Sequence, residues 1–445
     1  MSLETLIADY QAKTPRSRAL FEEAQRVLPG GNTRTTVFID PYPFYAVRGA
    51  GPRLWDADGH ERLDFNGNYT SLILGHAPPS VVAAVRELAE RGLSFPGPSE
   101  HEVRLAEALT RRVPSCERIR FTNSGTEGTM LAIRGARAYT GRPKIAKFEG
   151  SYHGTHDWVQ VSITPPVEGA GSRRRPKPVA AGAGVPPAVL RNVVVLPWNQ
   201  PEACFQLIEK HARDLAAVIC EPVQGGAGVI PAIDGFLPAL REVTARHGIV
   251  LIFDEVITFR LAPGGAQSLV GVTPDLTTFG KIIGGGLAVG AFGGRADVMG
   301  VFDPRGGKPK VAQGGTFNAN PLTMVAGLKT LEALTPEAYA HLDRLGESLR
   351  AKVRALFRAR GVKAQVTGVG SLFCLHWTPK RPLVDFRASR PTDPERPLRT
   401  YIGLLNEGIL LSQRGMGAVS VPMGDAEVDR FVDALGKILD ADERR

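Results

Sequence analysis

At 445 residues, 43% of them apolar and 22% charged, the chain is long enough for two or three cooperating domains around an ample core. No apolar run approaches membrane-spanning length, and Met1-Ser2-Leu3-Glu4-Thr5 has no basic segment leading into an apolar one, so neither a span nor a secretory signal is expected. The net charge of +9 raises nucleic acid or a membrane surface as partners, yet no basic helix, zinc finger or aromatic-interleaved patch supports either. The dense cluster Arg173-Arg174-Arg175-Pro176-Lys177 lies between glycine-alanine stretches and reads as a solvated loop. Cys116, Cys204, Cys220 and Cys374 are scattered without metal or redox spacing, so free thiols in a reducing cytoplasm are expected and no metal site.

Residues 5–27 alternate charged and apolar residues at helical spacing and stop before Pro29-Gly30-Gly31, which predicts one N-terminal helix. Arg34 follows in Gly31-Asn32-Thr33-Arg34-Thr35, and Trp55-Asp56-Ala57-Asp58-Gly59-His60 carries a hairpin turn signal. Arg118–Thr122 reads as a short strand, then Asn123-Ser124-Gly125-Thr126-Glu127-Gly128 turns into a helix over 129–139. Small hydroxyl and glycine residues at such a turn make an anion site, or Ser124 and Thr126 simply cap the helix. Lys144–Phe148 is the next strand, ending in Glu149-Gly150-Ser151-Tyr152-His153-Gly154. Residues 163–187, rich in proline, glycine and arginine, read as a loop or lid. Leu215–Cys220 is a buried strand closed by Glu221-Pro222-Val223-Gln224-Gly225-Gly226.

Gly248–Val256 is a continuous apolar run ending in Asp254 and Glu255. A run without alternation predicts a parallel strand buried on both faces, with its carboxyl end where open α/β sheets bind ligands. Next comes Thr277-Thr278-Phe279-Gly280-Lys281-Ile282-Ile283-Gly284-Gly285-Gly286, a lysine among glycines and apolar residues. Such a lysine is a loop residue or a buried amine, and its apolar neighbours favour the second. A buried amine is nucleophilic and condenses with an aldehyde to a Schiff base. Gly314–Pro321 holds Thr316 ahead of a long helix at about 322–334, which Thr316 could cap. From about Pro336 a smaller domain begins: helical patterning over 338–360, strand-like segments at 364–367 and 371–377, and a last helix at about 425–439.

The lysine stretch and the Asp254 run together resemble the class III aminotransferases, pyridoxal-phosphate enzymes of fold type I. Within them the chain looks like the branch of β-phenylalanine transaminases and glutamate-1-semialdehyde aminomutases, from about Arg34 to Val432. The resemblance implies an α/β fold with a mixed, mostly parallel seven-stranded sheet flanked by helices, plus a smaller α+β domain. It implies an N-terminal segment 1–75 packing with that small domain, a cofactor-binding domain 76–335 and a C-terminal domain 336–445. By family pattern Lys281 holds pyridoxal 5'-phosphate, Asp254 its ring nitrogen, and Ser124, Gly125 and Thr126 its phosphate. Tyr152 stacks on the ring, Glu221 lies nearby, and Thr316 reaches the phosphate of a partner subunit, which makes a homodimer with shared sites. His153 is supporting and His76 structural.

On that pattern Lys281, displaced by an incoming amine, acts as general base on the substrate carbon, and Asp254 keeps the ring nitrogen protonated. Substrate choice falls to arginines that meet carboxylates. Val419 stands where most class III transaminases carry an arginine, and Gly226 where ornithine- and γ-aminobutyrate-type relatives carry a glutamate. Gly415 stands where the aminomutases carry a glutamate. Ser412-Gln413-Arg414-Gly415 matches the Ser-Pro-Arg-Gly of β-phenylalanine transaminases but for Gln413. Arg414, with Arg34, is therefore expected to bind substrate. The expectation is a cytoplasmic aminotransferase taking β-amino acids to 2-oxoglutarate or pyruvate, with the aminomutase as the alternative.

Overall fold

The computed structural model describes Ser2 to Glu443; Met1, Arg444 and Arg445, the extremes of the expected first and last domains, lie outside the described residues. Two compact units divide the chain. The first comprises Met1–Pro78, Leu342–Pro379 and Pro391–Arg445, the second Pro79–His341 and Lys380–Arg390.

The second unit is built on a seven-stranded sheet in the order Arg118–Thr122, Gly290–Gly294, Leu276–Gly280, Val250–Asp254, Leu215–Cys220, Lys144–Phe148, Val193–Leu196. Gly290–Gly294 runs antiparallel to both its neighbours; every other pairing is parallel. This is the expected mixed, mostly parallel α/β sheet. Burial on both faces explains the unbroken apolar runs. Along adjacent strands, Ala217, Ile219 and Ile252 join one core with Leu131, Ile133 and Ala136 of the helix Gly125–Thr140. Val218, Cys220, Leu251 and Phe253 join the opposite core with Phe236, Leu237 and Leu240 of the helix Phe236–Arg246. Alternate residues thus point to opposite layers, and both layers are apolar.

The first unit holds a four-stranded sheet, Ala46–Ala50, Arg53–Asp56, Glu61–Asp64 and Ile409–Leu410, and a three-stranded one, Gln365–Thr367, Leu372–His376 and Met416–Ala418. The hairpin read at Trp55–His60 joins Arg53–Asp56 to Glu61–Asp64. The single helix expected over 5–27 is two, Leu3–Lys13 and Pro15–Ala24. Pro15 lacks the N–H that would continue the first helix, and its fixed φ suits the first position of the second. Tyr10 and Phe21, one from each helix, pack with Tyr42, Tyr401 and Ile402.

The arginine-rich segment is more fastened than a solvated loop. Gly171–Ser172 pairs with Arg175–Pro176, Arg174 meets Glu202 at 2.5 Å, and Arg173 meets Asp385. Thr316 does not cap the helix Pro321–Ala333. Asn320 does, its side chain accepting from Leu322 N at 3.0 Å and Thr323 N at 3.4 Å. Asparagine next to an N1 proline is the stronger cap, and Thr316 lies too far ahead of the first turn.

Among the described residues, no helix is long and apolar enough to cross a membrane.

Candidate active site

Parallel strands end on one side of their sheet, so residues just past their carboxyl ends gather there. Five of the expected residues come from such ends. Ser124 follows Arg118–Thr122, Tyr152 follows Lys144–Phe148, Glu221 follows Leu215–Cys220, Asp254 closes Val250–Asp254, and Lys281 follows Leu276–Gly280.

Asp254 is buried and held from three sides. Its Oδ2 lies 2.7 Å from His153 Nδ1, and its Oδ1 accepts from Thr278 Oγ1 at 3.0 Å and Val256 N at 3.1 Å. Among the described residues that is three donors on a group able to accept about four. His153 Nε2 is buried with no partner among the described residues, and burial lowers the ring's pKa. Facing a carboxylate, which can only accept, Nδ1 carries a proton and donates it to Asp254. Glu255, next in sequence, does different work. Its carboxylate accepts from Thr258 Oγ1 at 2.6 Å, Ala266 N at 2.8 Å and Gln267 N at 2.8 Å. Adjacent residues at a strand end face opposite ways, so one acid is left for a ligand and the other ties a turn.

The helix Gly125–Thr140 opens with a variant of the capping box, in which the N3 carboxylate bonds the N–H of the residue before the N-cap. Ser124 Oγ accepts from Glu127 N at 3.2 Å, and Glu127 Oε2 accepts from Asn123 N at 2.7 Å. The expected choice between cap and anion site is therefore not exclusive. The side chains close the box, and the first helical N–H groups, Gly125 and Thr126, are those a helix cannot satisfy internally.

Tyr152 sits on a turn and is about half exposed. Burial, and then the charge of Asp254, raise its hydroxyl pKa. Glu221 accepts from Gly226 N at 3.1 Å and from Tyr152 N at 3.4 Å, so it anchors the same turn. Burial, with Asp254 adding, pushes the Glu221 carboxyl up to about 8. A Cβ on Gly226 would lie 2.8 Å from Tyr152 N, so position 226 tolerates no side chain while the turn stays put.

Lys281 opens a short turn, Lys281–Gly284, with φ +51°. For a residue with a Cβ this left-handed conformation costs on the order of 1 kcal/mol, the kind of strain that gathers at active sites.

These residues fit pyridoxal phosphate. A ring nitrogen needs a buried carboxylate, which Asp254 supplies with one acceptor site to spare. A phosphate needs open N–H groups at a helix start. Val256 lies against two of the glycines: a Cβ on Gly125 would lie 3.0 Å from its Cγ2, and one on Gly280 3.3 Å from its Cγ1. His153 was expected only as a supporting residue, and Val256 and Thr278 were not singled out from the sequence; Thr278 stands three residues before Lys281 and is Asp254's register partner on the neighbouring strand.

Thr316 is exposed, on a loop tied by Asn318 Oδ1 to Asn123 Nδ2 at 2.9 Å. Arg34 and Arg414 belong to the first unit. Arg34 Nη1 donates to Asn68 Oδ1 at 2.7 Å. Arg414 is exposed, and its neighbour Gln413 donates to Phe38 O, joining the two arginine-bearing loops. His76 bonds Asp64 at 2.8 Å, within that unit.

The Aminotransferase class-III family pattern matches residues 37–439. A glutamate-1-semialdehyde 2,1-aminomutase of Methanothermobacter thermautotrophicus is 44% identical, over 95% of this chain and 99% of its own. The β-phenylalanine transaminase of Variovorax paradoxus is 42% identical, over 96% of this chain and 93% of its own. The crystal structure of an omega-transaminase from Sphaerobacter thermophilus superposes with a TM-score of 0.91 at 53% identity, covering 95% of this chain and 97% of that one. Sheet, strand-end residues and sequence agree: the chain belongs to the class-III aminotransferase family, and it is a transaminase of fold type I that depends on pyridoxal phosphate.

Proposed function

We propose that the enzyme moves the amino group of a β-amino acid, with an aromatic or apolar side chain as in β-phenylalanine, to 2-oxoglutarate or pyruvate. The observation that carries this reading is Gly415. Its φ is +81°, and a Cβ there would lie 2.7 Å from Leu375 O. The glutamate that aminomutases carry at this position would be strained and crowded in this loop. The two kinds of relative are almost equally similar, at 44% and 42% identity, so overall likeness does not decide between them.

In this reading Ser124, Gly125 and Thr126 bind the phosphate, Tyr152 lies against the ring, and Glu221 holds the Tyr152 turn. When bound, pyridoxal phosphate supplies an electron sink for the carbon that loses its proton. Asp254 holds a proton on the ring nitrogen, and His153 and Thr278 aim its carboxylate. Lys281 holds the cofactor, then takes and returns the substrate proton. The working form is a cytoplasmic homodimer, and the exposed Thr316 serves the partner's phosphate. Thr316→Ala is expected to weaken cofactor binding by about 1.5–3 kcal/mol, the worth of a hydrogen bond to a charged group. Hybrid dimers of Lys281→Ala and Thr316→Ala subunits should regain one intact site. Full activity in an isolated monomer would contradict sharing.

Arg414, with Arg34, binds the carboxylate. A β-carboxylate stands one methylene farther from the reacting carbon than an α-carboxylate, and a misplacement on the order of 1 Å can cost ~10²-fold. Arg414→Ala is expected to raise KM for carboxylate substrates ~10-fold or more and to leave 1-phenylethylamine within about 2-fold. Equal losses for both substrate types would remove Arg414 from recognition. The substrate reading itself is tested by offering the holoenzyme α-, β- and ω-amines with 2-oxoglutarate or pyruvate and identifying the products. Preference for β-amino acids is expected. Isomerisation of glutamate-1-semialdehyde without an added keto acid would overturn it.

A further inference from the structure

The strand Lys144–Phe148 hides a charged side chain that the site described above leaves unused. Lys147 is 0% exposed, flanked in the same strand by the fully buried Ile145, Ala146 and Phe148. A lysine is among the costliest residues to bury, and an apolar side chain would fill the position without that cost. Its ammonium group instead makes three hydrogen bonds, all to main-chain oxygens: Val161 at 2.7 Å, Phe148 at 3.1 Å and Ser151 at 3.2 Å. An ammonium has three N–H donors, so this set uses them all.

The positions of those oxygens are informative. Phe148 and Ser151 begin the turn after the strand, and Val161 lies where the chain comes back. Tyr152 and His153 stand between. Three carbonyl oxygens pointing at one spot repel each other unless a multiple donor gathers them. The surroundings act on the ammonium in opposite directions. Burial lowers the Lys147 pKa to about 7, and Glu221 and Glu149 oppose that fall. Glu149 is itself gripped by Arg387, whose Nε and Nη2 lie 2.7 and 2.8 Å from its two oxygens. Gln224 Nε2 donates to Glu149 O at 2.6 Å.

We propose that Lys147 is a positioning residue for transamination: by drawing three carbonyls around one cation, it fixes the turn that aims the Tyr152 ring and the His153 imidazole. Tyr152 then sets the tilt of the cofactor ring, and His153 the orientation of Asp254. This rests on the assignment of Tyr152 and Asp254 to the cofactor.

The test uses holoenzyme carrying Lys147→Met, which keeps the volume and loses the donors, and Lys147→Gln, which keeps part of them. Four quantities are read: cofactor content after dialysis, visible circular dichroism of the bound cofactor, kcat against KM, and Tm. For Lys147→Met the visible dichroism should fall at least ~2-fold and kcat ~10–100-fold, with KM within about 3-fold. Lys147→Gln should lie between the Met variant and the native enzyme. A Met variant with native dichroism and native kcat, altered only in Tm, would overturn the proposal. Should the Met variant not fold, the Gln variant decides: reduced dichroism and kcat support the role, and native values refute it. Failure of the underlying assignment looks different: Tyr152→Ala and Asp254→Asn, with Lys147 left native, would then leave the visible spectrum and dichroism of the bound cofactor unchanged.

Discussion

Lys281→Ala protein is expected to take up pyridoxal phosphate and yet turn over at least ~10²–10⁴-fold more slowly, the range that a positioned general base contributes. Uptake should persist because most of the proposed cradle comes from elsewhere. The N–H groups at the start of Gly125–Thr140, the Asp254 carboxylate and the Tyr152 turn do not depend on the lysine side chain. The native protein should be yellow, and borohydride should fix the cofactor on Lys281 alone. The variant should bind the cofactor without a reducible link. Peptide mapping and dialysis distinguish these states without an activity assay. An adduct on another lysine, or native turnover by the variant, would remove Lys281 from the chemistry.

Asp254→Asn is the second large effect, expected to cut kcat ~10²-fold or more while the fold persists. The amide oxygen can replace Oδ1 as acceptor for Thr278 Oγ1 and Val256 N. The amide nitrogen can replace Oδ2 if His153 shifts its proton from Nδ1 to Nε2 and accepts on Nδ1. Among the described residues Nε2 is buried without a partner, so the shift costs about 1–3 kcal/mol for an unsatisfied N–H. What the amide cannot do is hold a proton on a ring nitrogen by charge, so the electron sink is lost. Far-ultraviolet dichroism and Tm should stay close to native while single-turnover rates fall. Near-native turnover would show that the proton is held by something else.

The difference between Asp254 and Glu255 shows where the sequence stops being legible. Both acids end the same apolar run, and nothing in the run itself says which faces the ligand side. That follows from the strand's phase, fixed by its register with Leu215–Cys220 and Leu276–Gly280. The sheet was readable because burial on both faces erases alternation, a local signal. Ser124 and Lys281 were readable because their neighbours are small and their strands obvious. Lys147 was not, since Lys144-Ile145-Ala146-Lys147-Phe148 reads as a strand with two ordinary surface lysines, and the three oxygens that hold it come from one, four and fourteen residues away. The break at Thr14-Pro15 was readable in principle, because the proline forbids the bond that a single helix needs. The Asn320 cap, by contrast, turned on which of two nearby polar residues the chain brings to the first turn of Pro321–Ala333.

The crowding at Gly226 bears on how substrate classes in this family can interconvert. A glutamate there, as in the ornithine- and γ-aminobutyrate-type relatives, would have its Cβ pressed on Tyr152 N, Gly150 O and Tyr152 Cβ, at 2.8, 2.9 and 3.0 Å. Transplanting that one residue into this chain would therefore disturb the tyrosine before it could gate any arginine. In this chain the Tyr152 turn would have to shift before a glutamate at 226 could be accommodated. Single-site grafts between the two branches should fail in one direction for reasons of backbone, and libraries that vary residues 149–153 together with 226 are where viable intermediates would be found.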